Sequence, residues 1–489
     1  MRQLVFRCTP VVALLFVAAC TSESPTSTVA ADVRTPAMTV SAEDAGTYLV
    51  RFKGNGVPDG FNAQIAALGG QVIFAHRVGV AAVAGLSATA ADQLAAASSI
   101  AGVDPDYVTV LDNPGSMSVE SESAPQSPAA PATALRFSRQ WNMKTIQADV
   151  AWAAGKIGSD AVKVGIIDTG IDYLHPDLVG RVDLTLSRSF LSDAENARVT
   201  NTFGAGTPLW VDLYYHGSHV AATVASNAYI YAGVTSMTKL VALRVCTPGT
   251  SPAFRASCPT SAVLSAILYA TDNNIPIVNM SLGGAFNRRD ASARGGFGPS
   301  FIATINQIMS YANRNGTTVV VSAGNSAADL DHDGNGFTAY CSASNVLCAS
   351  ATGPTGAAGL NGPWANIDAF AGYSNYGRSA ISVAAPGGNA VAVTAACSGF
   401  TVVTALLVCR NRFFISPTNF SAFSVGISGT SMASPHVAGV AALIAANGIL
   451  QPAQIRAIIQ KSADDLGQPG VDPFYGSGRV NAARAAGAI

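Results

Sequence analysis

Apolar positions follow two different periods on either side of a Pro-, Ser- and Ala-rich stretch at residues 112–135. Before that stretch, Tyr48-Leu49-Val50-Arg51-Phe52 reads as a strand, 59–68 has helical spacing, and 71–74 and 80–85 read as further strands. An Ala-rich helix at 88–97 and a closing strand at 103–111 complete the order β-α-β-β-α-β over 47–111, the split βαβ pattern of a small ferredoxin-like α+β unit. After it, the runs 162–167, 240–245, 277–280 and 318–322 are apolar throughout instead of alternating, as expected of parallel strands buried on both faces. Helical stretches at 219–226, 261–273 and 301–315 separate them. That alternation predicts an α/β doubly wound parallel sheet over 136–489, with its site beyond the carboxyl ends of the strands.

Composition changes this picture at the ends and on the surface. Only 12% of the 489 residues are charged and the net charge is −1, so no basic patch for a nucleic-acid partner is expected. Arg2 and Arg7 precede a short apolar run at 11–19, too short to span a bilayer. The run ends in Val17-Ala18-Ala19-Cys20, which resembles a bacterial lipobox with Cys20 as the lipidated residue; an ordinary export signal over 1–20 is the alternative. Residues 21–46, rich in Ser, Thr and Pro, read as a tether, and 112–135 as a linker open to proteolysis. The chain is expected to be exported, secreted or extracellular, its precursor touching the membrane only through this signal or lipid anchor. The uncharged stretch 390–409 reads as strands joined by a turn, because Thr and Gly interrupt it.

Apart from Cys8 and Cys20, six cysteines fall as neighbours. Short loops close at least entropic cost, so Cys246–Cys258, Cys341–Cys348 and Cys397–Cys409 are the expected bridges. Fifteen pairings are possible, and free buried thiols are the other reading.

Four segments carry candidate chemistry. Asp168 ends an apolar strand and a glycine turn follows, in Asp168-Thr169-Gly170-Ile171-Asp172. His216 and His219 share a face in His216-Gly217-Ser218-His219-Val220-Ala221. Asn325 follows a strand in Ser322-Ala323-Gly324-Asn325. Ser431 opens a helix in Gly429-Thr430-Ser431-Met432-Ala433-Ser434-Pro435-His436, where free N–H groups and the helix dipole favour a developing oxyanion. Each alone has a structural reading: a turn acid, half a metal site, a turn asparagine, a helix cap. The order Asp, His, Ser is one of the known triad orders.

Together the four segments resemble the signatures of the subtilisin-like, or subtilase, family of serine peptidases. The resemblance covers the chain from about Gln140, and the 47–111 unit resembles the family's inhibitory propeptide. It implies Ser431 as nucleophile, His216 as base and then acid, Asp168 as its orienter and Asn325 as oxyanion donor, with His219, His436 and Asp172 structural. Ser281, Leu282, Gly283 and Gly284 resemble the strand that pairs with extended substrates, with Ala323 and Gly324 on the opposite wall. The expected activity is a broad serine endopeptidase acting on proteins or peptides through an acyl-enzyme, favouring apolar P1 residues. It is expected as a monomer, made as a self-processed zymogen with its own propeptide as inhibitor. No cofactor is required for the chemistry. Residues 226–231 look shorter than the family's calcium loop, whereas Asp329, Asp331 and Asp333 alternate like the start of one, so a structural calcium there is a further expectation. A catalytically dead binding protein is disfavoured by the intact tetrad, and an esterase by the order of its members.

Overall fold

The parallel strands form where the apolar runs predict them. The computed structural model describes residues 46–111, 117–122, 130–249, 255–287, 299–359, 361–389, 402–408 and 422–489. Cys8, Cys20, Cys397 and Cys409 lie outside these residues, as do the signal and almost all of the tether.

In the N-terminal part, β1 (Tyr48–Phe52), α1 (Phe61–Ala67), β2 (Gln71–His76), β3 (Val80–Ala84), α2 (Ala88–Ala95) and β4 (Ile100–Pro105) build an antiparallel sheet of order β2-β3-β1-β4. Ser87 caps α2 by accepting from Ala90 N. Strand β3 is apolar throughout because both its faces are covered. Ala81 and Val83 pack with Phe61, Ile65 and Leu94 under the unit's own helices. Val80 and Ala82, with Leu49, join the core of the rest of the molecule.

The closing strand breaks where a single one is predicted. β4 stops at Pro105, and Val108–Leu111 (β5) leaves the sheet to pair antiparallel with β8 (Ala256–Pro259), introduced below. The cause is local. Asp106 accepts from Ser261 N at 2.8 Å and from Ser261 Oγ, and the Tyr107 carbonyl accepts from Thr260 N. Those groups belong to the first turn of the helix that follows β8, so the chain is pulled out of one sheet and into another.

The large sheet contains β6 (Lys163–Asp168), β7 (Lys239–Arg244), β9 (Ile277–Met280), β10 (Thr318–Ser322), β11 (Val346–Thr352) and β12 (Val383–Pro386). With the two-residue strand Arg188–Ser189 the order is β12-β11-β10-β9-β6-β7-(Arg188–Ser189), parallel throughout. From β6 the chain works out to one edge, crosses back over β6 to β9, and then steps to the other edge. The carboxyl ends of β6, β9 and β10 therefore flank the switch point.

The helices that bear on the site are α3 (His216–Val224), α4 (Thr260–Asp272), α5 (Pro299–Arg314) and α6 (Thr430–Ala446). Helix α6 is buried almost all round, from Met432 to Ala445, as a central helix covered by sheet and neighbouring helices must be. Pro435 stands in its second turn rather than its first. Helices α4 and α5 present the surface on which the N-terminal sheet sits. Tyr107 meets Phe301 edge-on at 5.1 Å, and Arg77 reaches Asp272 and Tyr311. Both sheets consequently fall within one compact unit. Residues 402–408 and 422–427 are strands, forming a three-stranded antiparallel sheet with Met117–Glu122. Among the described residues no helix is long and apolar enough to cross a membrane.

Candidate active site

Three strand ends and two helix starts meet in one cleft lined by His216, Ser281, Leu282, Gly283, Gly284, Gly324, Asn325, Thr430 and Ser431. It encloses about 60 Å³, and Val110 and Leu111 of the N-terminal unit also line it. A larger cavity of about 430 Å³, between the 341–346 turn, 378–382 and the helix Pro452–Ser462, contains none of these groups.

Asp168 ends β6 fully buried, held by Thr169 N at 2.7 Å. Its two oxygens lie 2.9 and 3.0 Å from His216 Nδ1, which fixes the proton on Nδ1 and leaves Nε2 as the acceptor facing the cleft. Burial opposes charge on this imidazole. The Asp168 charge and hydrogen bond, with a further contribution from the Asp212 charge, outweigh it and hold His216 above its ordinary pKa.

Ser431 is the second residue of α6, so its N–H has no intrahelical acceptor. The neighbouring Thr430 N and Oγ1 donate to Asn325 Oδ1 at 2.9 and 2.8 Å. Anchoring the oxygen end of the amide leaves Asn325 Nδ2 as a donor beside the Ser431 N–H, two donors of the kind an oxyanion needs. Ser431 Oγ donates to the Ser281 carbonyl at 3.2 Å rather than to His216.

Several expected site residues take other places. The Ser281 side chain is fully buried, turned toward α6, with its hydroxyl on the Ser431 carbonyl at 2.8 Å; what it offers the cleft is backbone. Ala323 does not line the cleft. It packs behind it with Cys341, Cys348 and Ile381, because alternation along the extended chain sends its methyl inward. The ladder to β5 forms on β8, not on 281–283. His436 is a satisfied core residue, donating from Nδ1 to Met432 O and meeting Asn142 Nδ2 at Nε2, with burial pushing its pKa down to about 4.

Disulfides join Cys246 to Cys258 and Cys341 to Cys348; the third expected pair lies outside the described residues. Two of the three acids at 329–333 are engaged by the chain itself. Asp329 turns to His332 Nδ1 at 2.9 Å, while Asp331 is taken by the N–H groups of Arg378 and Ser379 and by Ser379 Oγ. Among the described residues no cluster of three or more such ligands exists. Near 226–231, Asp177 is likewise filled by the N–H groups of Tyr229, Ile230 and Tyr231.

One residue is missing from the sequence reading. Asp212, four positions before His216, is fully buried and accepts five hydrogen bonds. An acid shortly before a helix start is a capping signal, but Leu213-Tyr214-Tyr215 between them gives no pattern that marks it.

The subtilase family model matches residues 159–478. Thermitase of Thermoactinomyces vulgaris is 30% identical over 348 residues, covering 71% of this chain and 96% of thermitase. A thermophilic serine proteinase of Bacillus sp. strain AK1 is 29% identical over 345 residues, 70% of this chain and 65% of that protein. In fold, the epidermin leader peptide processing serine protease of Staphylococcus aureus superposes with a TM-score of 0.66 at 20% identity, over 90% of this chain and 97% of that one. With the matched domain and these relatives beside the cleft's geometry, the chain belongs to the subtilase family of serine-type endopeptidases.

Proposed function

We propose that Ser431, His216 and Asp168 are the catalytic triad of an exported endopeptidase made as a zymogen. The observation that carries the reading is the buried Asp168–His216 pair, 2.9 Å apart, in the cleft that also exposes Ser431 at the start of a helix. In the resting arrangement the serine hydroxyl is parked on Ser281. For attack it turns to His216 Nε2, gives up its proton there, and Oγ bonds to the substrate carbonyl carbon. The oxygen of that carbonyl becomes an anion between Ser431 N–H and Asn325 Nδ2. Collapse breaks the peptide bond as His216 returns the proton to the leaving amine. Water, activated by the same imidazole, then releases the acyl group. These steps use only groups of the chain itself and water.

Val108–Leu111 supports the zymogen reading. It pairs with β8 as an extended segment, and its Val110 and Leu111 form part of the cleft's wall, where a substrate entering the cleft would meet it. Leu111 on the cleft wall, with no carboxylate among the described lining residues, supports apolar over basic P1 side chains. Cutting within the linker would release the block. Export is supported by the 1–20 pattern and by disulfides, which persist in oxidising compartments. Cys20 remains the proposed lipid attachment point, and the mature enzyme is proposed to act as a monomer on protein substrates.

Labelling with a fluorophosphonate probe tests the site. The parent should label once, and Ser431→Ala and His216→Ala should lose both labelling and casein hydrolysis while remaining folded. Hydrolysis by folded Ser431→Ala near the parental rate would refute the assignment.

A further inference from the structure

Two short hydrogen-bond relays join the segment after Asp168 to the segment that begins with His216, and both end on the same carboxylate. In the first, Gly217 N donates to Thr169 Oγ1 at 2.9 Å, and Thr169 Oγ1 donates to Asp212 Oδ1 at 2.9 Å. In the second, Asp172 N donates to Ser218 Oγ at 2.9 Å, and Ser218 Oγ donates to Asp212 Oδ2 at 2.7 Å. Tyr214 N, Tyr215 N and Ser218 N also donate to Asp212, which therefore closes the start of α3. The close approach needs two glycines. A Cβ on Gly217 would lie 2.2 Å from the Gly170 carbonyl oxygen, and one on Gly170 would lie 2.5 Å from the Trp210 carbonyl oxygen.

The state of this carboxyl group follows from its partners. Burial pushes its pKa up, yet three of its five partners are backbone N–H groups, which can only donate. The two hydroxyl partners each accept a backbone N–H, from Gly217 and Asp172, which turns their own O–H toward Asp212; with all five partners donating, the arrangement favours the anion against that burial.

We propose that Asp212 is a positioning residue for peptide hydrolysis: it clamps the Asp168 and His216 segments together and places a second buried negative charge near the imidazolium. The proposal rests on the triad assignment above. Neither relay touches Ser431 or the cleft wall, so the clamp acts on the base and not on substrate binding. The groups that bear on the charge effect are Asp168, which pairs with His216, Tyr214 and Tyr215 on the turn between, and Arg244 at the end of β7, which interacts with Asp212.

Position and charge separate in two variants. Asp212→Asn removes the charge and offers an N–H₂ where one relay needs an acceptor. Its kcat should fall by about 10²-fold, the scale of a small misplacement in a catalytic pair, with KM within about twofold of the parent. Because a negative charge near His216 favours its protonated form, removing that charge should also move the acid limb of kcat to lower pH. Thr169→Val breaks one relay but keeps the charge, so kcat should fall with the limb unmoved. Thr169→Ser keeps the hydroxyl and should restore kcat. Thr169→Val also keeps the test available if Asp212→Asn does not fold. Folded variants with parental kcat overturn the clamp, as does a loss confined to KM. If the triad assignment itself is wrong, Ser431→Ala will still hydrolyse substrate; if only the clamp is wrong, Ser431→Ala will be dead and Asp212→Asn fully active.

Discussion

Pro435 has a consequence at Ser431 that its place in the helix makes necessary. A proline has no N–H, so the carbonyl four residues earlier, that of Ser431, loses its intrahelical partner. Ser281 Oγ donates to it instead, and that hydroxyl is further held by Asn279 Nδ2 at 2.9 Å and Ser434 Oγ at 2.9 Å. The Ser431 backbone is thereby tied to the strand end at β9 as well as to its own helix. Asn325 is tied through Oδ1 only, so replacing it with Ala should lower kcat by about 10²- to 10³-fold, the magnitude established on subtilisin, itself a member of this family. KM should change far less; steady-state kinetics on one peptide substrate would show the split, and a loss mainly in KM would contradict the oxyanion role. At this scale the gathering of Asp168, His216, Asn325 and Ser431 at one cleft was legible because each stands within two residues of a glycine in a short, distinctive run. Asp212 was not, because what makes it important is the convergence of two segments 43 and 46 residues apart in sequence from their partners. The inward-turned side chains of Ser281 and Ala323 were hidden for a related reason: a motif names a residue without saying which way its side chain faces.

Among elements, the strands legible in the sequence were those rich in Val, Ile and Leu. β11 and β12 escaped because their Ala, Ser, Cys and Pro content gives no period. The split of the last N-terminal strand escaped because the groups that bend it, Ser261 and Thr260, belong to a helix about 150 residues away. The disulfide beside β8 suggests a test. Cys246 stands two residues after the end of β7, and Cys258 sits in β8 opposite Thr109; Thr247, in the short strand Thr247–Pro248 that pairs with β8, is further held by Glu195 and Arg198. The bridge therefore steadies the strand that pairs with β5, while the Asp168 carbonyl is held by the backbone N–H groups of Val245 and Cys246, which a serine at 246 keeps. Replacing Cys246 and Cys258 by Ser should raise KM severalfold and leave kcat and the acid limb nearly unchanged. Equal loss in both constants would mean that the bridge supports the catalytic pair as well.

For the molecule as a whole, the attachment of the N-terminal sheet matters most. Burial of Leu49, Val80 and Leu111 contributes about 1.5–3 kcal/mol each, with the Asp106 contact on α4 and the Arg77–Asp272 contact added. One group opposes it. Burial raises the Asp104 carboxyl to about 6, against the smaller effects of Ser300 on α5 and of Arg51. A raised acid binds its proton more tightly in the docked state, so its stabilising contribution is complete below the free carboxyl range and is lost as pH rises through about 6. Inhibition of the processed enzyme by the isolated 47–111 segment should accordingly weaken from the free carboxyl range up to about pH 6 and level off above it, and Asp104→Asn should flatten that change; a pH-independent inhibition constant in the parent would remove Asp104 from the account. The alternation of strands and helices made the large fold legible, but nothing in the residues announced that two sheets would share one core. That shared core has a consequence for any cut in the linker. While β5 is covalently joined to the domain it occupies, its effective concentration is set by the tether and stays in the millimolar range however dilute the protein. Once cut, the same interface becomes bimolecular, so a processed sample should gain specific activity on dilution alone, whereas an uncut one should not.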